Sequence, residues 1–214
     1  MRARLSLQDL PSLEYLAVAC RLEPEIDAGL ARFEETHSRA NVALRFLLNQ
    51  DASAEHLRVR AEEERQMQAG LLRAALMEYV GMEDCLPGDL RRMGLPGPAL
   101  RINDTGSAML VLLRELRHVH VHVGQTRFER REQTAVFHVP NREVLEVTLP
   151  VLTIPRADLE QLRDSRHSSR YHADELAAAI DWLDVAQGHW GIRLVVQAAI
   201  NDYARRILAV HGAG

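Results

Sequence analysis

The stretch "RELRHVHVHVG", residues 114–124, decides how the chain is read. With a period of two it is a β-strand that shows the imidazoles of His118, His120 and His122 on one face. With a helical period of about 100° per residue, Arg117, His118 and His122 come near one another and His120 turns away. Valine favours the strand. The preceding "SAMLVLLRELR" is strongly helical, no Gly or Pro marks the junction, and Gly124 stands where a helix of about five turns would stop. These considerations predict a helix through the histidines, with the strand as the alternative.

Working outward, Asp104, Thr105 or Ser107 is the expected N-cap of this helix. On the N-terminal side, residues 11–49 carry apolar side chains at helical spacing (Leu13, Leu16, Cys20, Ile26, Leu30, Phe33, Leu44, Leu47), with Pro24 as a splitting point. "QDASAEHL" reads as a break with a new cap at Asp51 or Ser53, and a further helix runs to about residue 80. Its "AEEERQ" run reads as a solvated face. Residues 81–107 are dense in Gly and Pro and predict a loop of about 25 residues. From Thr134 the period changes, and "TAVFHV" and "EVLEVTLPVLTIP" predict a hairpin or small three-stranded sheet with Pro150 at an edge or bend. A short helix, a polar break at "RHSSRY" and a long helix over about 172–210, kinked at "GHWG", complete the chain. The expected fold is mainly α: a single helical bundle over residues 1–214, with a small antiparallel β insertion near 134–155.

Composition agrees. Of 214 residues 47% are hydrophobic and only 5% aromatic, so the core is built of Leu, Val and Ala, as in packed helices. The net charge of −4 argues against a nucleic-acid coat protein, which needs a broad basic surface, but leaves room for a local basic site. All 26 basic side chains are arginine, so every cation is a planar fork matched to phosphate. Cys20 and Cys85 are the only cysteines, which predicts no disulfide framework and a reducing cytoplasm. "MRARLSLQDLPSLEYLAVAC" is interrupted by Gln8, Asp9, Pro11 and Glu14, and reads as neither signal peptide nor membrane span.

On a helix, the Arg/His cluster has the chemistry of a phosphodiester site. An imidazole with a pKa near its ordinary value of about 6.5 exchanges a proton at neutral pH. A guanidinium binds non-bridging phosphate oxygens in pairs and stabilises a pentacoordinate transition state. "RHVHVH", residues 117–122, resembles the signature of the HEPN superfamily: arginine, a polar Asn, Asp or His, three variable positions, then histidine. The resemblance implies a small all-α bundle and a metal-independent endoribonuclease of the toxin–antitoxin or antiviral-defence kind. It also implies a homodimer whose two motifs build one composite site, and a possible antitoxin or defence-system partner. By position, Arg117 would contact the scissile phosphate, His118 would orient or assist, and His122 would act as acid–base on the RNA 2′-hydroxyl. The product would carry a 2′,3′-cyclic phosphate, and no cofactor is implied. Many toxins of this family have tyrosine two places after the histidine; Gly124 stands there instead, so regulation through that tyrosine is not implied. Arg114 on the adjoining helix face and Arg127 beyond the motif are the candidate RNA-phosphate contacts.

Competing expectations attach to the same residues. As a strand, His118, His120 and His122 would offer ligands to a metal ion, with Glu129 as a further ligand. An inactive HEPN-like module that only binds a partner is the other alternative. "RFERRE" (residues 127–132) reads as an ion-paired turn, "RDSRHSSRY" (163–171) as an RNA-contact candidate, and "GHWG" as a kink where Trp190 packs. His37 attracts no functional claim.

Overall fold

The computed structural model describes residues 4–53, 61–95, 98–123, 127–137, 145–164 and 168–211. Helices α1 (Leu13–Ala19), α2 (Ala31–Ser53), α3 (Ala61–Arg92), α4 (Ala108–Val123), α5 (Arg156–Asp164) and α6 (Ala173–His211) form the bundle. Strands β1 (Glu129–Phe137) and β2 (Leu145–Thr153) pair as an antiparallel hairpin between α4 and α5. The expected architecture, mainly α with a small β insertion, is what the chain adopts.

The apolar periods explain the packing. Helix α2 buries Phe33, His37, Ala40, Leu44 and Leu47, and α3 buries Leu72, Leu76, Tyr79, Met82, Leu86 and Leu90, each at three- or four-residue steps. Every residue of α4 from Ala108 to Leu113 is buried, as are Leu116 and Val119, which makes α4 the central helix. A fully buried Leu contributes about 1.5–3 kcal/mol relative to exposure, so such stripes dominate the choice of fold. A Cβ on Gly81 would lie 3.3 Å from Thr36 Cγ2, which marks the close approach of α3 to α2.

Three local expectations are corrected. First, the long loop over 81–107 is largely helix: α3 continues through Pro87 to Arg92. Proline at this position removes one amide donor and would ordinarily break the helix, but the burial of Leu86 and Leu90 on either side holds it. The helix ends instead at Gly94 (φ 68°), with Gly94 N donating to Arg91 O and Leu95 N to Leu90 O, a Schellman stop. Second, Asp51 and Ser53, the expected start of a new helix, lie in the last turn of α2. Third, β1 starts at Glu129, so most of "RFERRE" is strand rather than turn; of the two expected forms of the β insertion, the two-stranded hairpin is the one seen among the described residues. Its ion-paired character holds: Arg131 bonds Glu129 at 2.7 Å and Asp184 of α6 at 2.9 Å.

The hairpin is seated on α6 by two devices. The buried Gln187 side chain brackets Ile154, accepting from its N at 2.9 Å and donating to its O at 2.7 Å. At Gly191 the backbone turns to φ 76°, ψ 150°, kinking α6 where "GHWG" predicts it, and a Cβ there would meet Leu152 O at 3.5 Å. A buried polar joint ties α2 and α6 to the end of α1. Asn201 Nδ2 donates to Ala19 O, which orients the amide so that its Oδ1 accepts from His37 Nε2 at 3.0 Å. Burial pulls the His37 imidazole below its ordinary pKa, so it serves as a neutral core residue. Among the described residues, no helix is long and apolar enough to cross a membrane.

Candidate active site on helix α4

Helix α4 starts where Ser107 Oγ accepts from Leu110 N at 3.4 Å, one of the expected caps. It runs unbroken to Val123, so the histidine run is helical and the strand reading is overturned. The physical reason is continuity: the buried stripe through Leu112, Leu113, Leu116 and Val119 carries the helical period across the junction. The one-face row of three imidazoles therefore does not form. Among the described residues no cluster of three metal-binding side chains occurs, and Glu129 is engaged with Arg131 Nε at 2.7 Å.

Arg117 and His118 meet. Arg117 Nη1 lies 3.3 Å from His118 Nδ1, and both side chains are half-buried. A guanidinium only donates, so Nδ1 accepts and the ring proton sits on Nε2 in this arrangement. Arg117 Nε is buried with no hydrogen-bond partner among the described residues. A buried donor left unsatisfied carries a desolvation cost of about 1–3 kcal/mol. His122 follows five positions later on the same helix. The side chains of His120 and His122 lie outside the described residues.

The two expected phosphate contacts stand in different surroundings. Arg114 points to α3, with Nη2 3.9 Å from Glu83 Oε1, and its Nε is buried without a partner among the described residues. Glu83 also accepts from Ile102 N at 3.2 Å, so it links α3, α4 and the loop between them. Arg127 is exposed just before β1. In the candidate RNA segment at 163–171, residues 165–167 lie outside the described residues, Arg163 pairs with Glu160 at 3.1 Å, and Tyr171 turns inward.

Sequence reasoning missed what Tyr171 does. Its hydroxyl donates to Glu115 Oε1 at 2.8 Å, while Glu115 Oε2 is buried without a partner among the described residues. Glu115 falls on the core stripe of α4, next to Arg114 and two residues before Arg117. A carboxylate on a buried stripe was the available signal; its partner, 56 residues away, was not. Burial first, and the Glu115 charge second, push the Tyr171 hydroxyl well above its ordinary pKa. No family model, curated protein or solved structure matches the chain.

Proposed function

We propose that the chain is a metal-independent endoribonuclease of HEPN type, acting in the cytoplasm as a homodimeric toxin or antiviral effector. The observation that carries the reading is the unbroken helix that sets Arg117 against His118, leaves a buried guanidinium donor unsatisfied, and continues to His122. In this reading His122 removes the proton from the RNA 2′-hydroxyl, whose oxygen attacks the adjacent phosphorus. Arg117 neutralises the charge that develops on the non-bridging oxygens, and His118 holds the guanidinium in place. The P–O bond to the 5′-oxygen breaks, that oxygen takes up a proton, and a 2′,3′-cyclic phosphate remains. Arg114 and Arg127 contact flanking phosphates, and the partner protomer supplies the second motif of a composite site. The experiment is incubation of the purified protein with RNA in excess chelator, followed by end-group analysis. Cleavage to 2′,3′-cyclic ends supports the reading; loss of all cleavage on chelation overturns it.

A further inference from the structure

A cavity of about 380 Å³ opens between the end of α1 and the turn of α6 that follows the kink. Its lining includes Cys20, Arg21 and Glu23 on one side and Trp190, Arg193 and Gln197 on the other. The kink at Gly191 makes this possible, because it ends one helical path at Trp190 and starts the next just before Arg193. The indole is fixed in place: Trp190 Nε1 donates to Leu13 O at 2.8 Å, and the His189 ring stands edge-on to it at 4.8 Å. Arg193 is steadied by Gln197, whose Oε1 accepts from Nη1 at 3.0 Å. Arg21 is exposed, and its side chain forms no hydrogen bond or ion pair among the described residues. The Glu23 carboxylate is already bound by Arg45 at 2.7 Å, so it offsets the two guanidinium charges only in part. Arg21 and Arg193 line the same cavity as the Trp190 indole.

From this convergence we infer that the cleft is a binding site for a small aromatic anion, a planar ring seated against the Trp190 indole with its acidic group held by Arg21 and Arg193. A fixed indole favours offset or edge contact with a second ring. Arginine supplies paired donors to a carboxylate or phosphate and can itself lie flat on a ring. The volume suits one small molecule of one or two rings, with a few polar groups setting its orientation. The thiol of Cys20, kept protonated by its burial, forms part of the wall and not a nucleophile. The inference does not rest on RNA cleavage and stands or falls separately from it.

Calorimetric titration of the full chain tests it with four probes. Adenosine monophosphate and benzoate are ring anions of different origin, adenosine is a ring without the charge, and inorganic phosphate is a charge without the ring. Saturable binding of at least one ring anion, about tenfold tighter than adenosine and phosphate, is expected. The better of the two ring anions identifies whether phosphate or carboxylate is the natural head. Arg21→Ala, at an exposed position that leaves the fold intact, should weaken that binding about tenfold, and Trp190→Leu should abolish it. The inference is overturned by absence of saturable binding at millimolar concentrations. It is equally overturned by phosphate or adenosine binding as tightly as the ring anion, or by an Arg21→Ala variant that binds unchanged.

Discussion

The hydroxyl of Tyr171 and the carboxylate of Glu115 share a buried hydrogen bond of 2.8 Å that fastens the central helix to the segment leading into α6. Tyr171 is 4% and Glu115 3% exposed, and the second oxygen of Glu115 has no partner among the described residues. Removing the phenolic hydroxyl therefore leaves a buried carboxylate with neither oxygen bonded. Tyr171→Phe should lower stability by about 2–3 kcal/mol, read from denaturant unfolding at neutral pH. Glu115→Gln, which keeps an acceptor for Tyr171 and removes the charge, should cost less; a larger loss for the glutamine variant would contradict this account.

Three buried tyrosines also set an alkaline limit. Tyr79, Tyr171 and Tyr203 all have their hydroxyls pushed above the ordinary value of 10, chiefly by burial. Above that pH the unfolded chain gives up these protons while the folded chain keeps them, so stability is complete below pH 10 and falls as pH rises. Each tyrosine contributes a slope of about 1.4 kcal/mol per pH unit in that range. Thermal melting followed from neutral pH upward should show a steep loss beginning near pH 10, and a flat profile would rule the coupling out.

Asp89 of α3 caps α2 from a distance. Fully buried, it accepts from Arg32 N at 3.0 Å and Phe33 N at 2.9 Å, the free donors at the start of α2, and it is paired with Arg92. Replacing it with alanine orphans the buried Phe33 amide, the partly buried Arg32 amide and an arginine. Asp89→Ala should cost about 2–4 kcal/mol and should reduce hydrogen-exchange protection first in the opening turn of α2. Unchanged protection there would show that the cap is dispensable.

Gly191 holds a backbone conformation that side chains with a Cβ scarcely adopt, at φ 76° and ψ 150°. Gly191→Ala should destabilise by about 1–3 kcal/mol through backbone strain alone, because the added Cβ would sit in ordinary contact with Leu152 O at 3.5 Å. A melting temperature equal to that of the parent protein would show that the kink relaxes freely.

The bundle was legible because its stripes are local. Phe33, Leu44 and Leu47, or Leu112, Leu116 and Val119, announce a buried face by spacing alone, and the kink at Gly191 is marked by two nearby glycines. The helix through Pro87 was not legible, since Gly and Pro there contradict helix propensity and only the tertiary burial of Leu86 and Leu90 outweighs it. The remote partnerships behaved alike: Asp89 serves an amide 56 residues earlier, and Glu115 a hydroxyl equally far ahead, distances at which sequence spacing carries no signal. Arg117 and His118 were legible together as chain neighbours, but residues one apart point about 100° apart on a helix, so their contact at 3.3 Å depends on the reach of the long arginine side chain. Their link to His122 was legible as a five-residue step, with the imidazole itself outside the described residues.

The central proposal, an Arg117–His122 ribonuclease site, meets its most direct test in cleavage of a defined RNA by the parent protein, Arg117→Ala, His122→Ala and the double variant, all confirmed as folded. The account predicts that the parent cuts in chelator, that either single variant loses at least about a hundredfold in rate, and that the double variant loses little more than the worse single. Cleavage by the double variant at the parent's rate would contradict it.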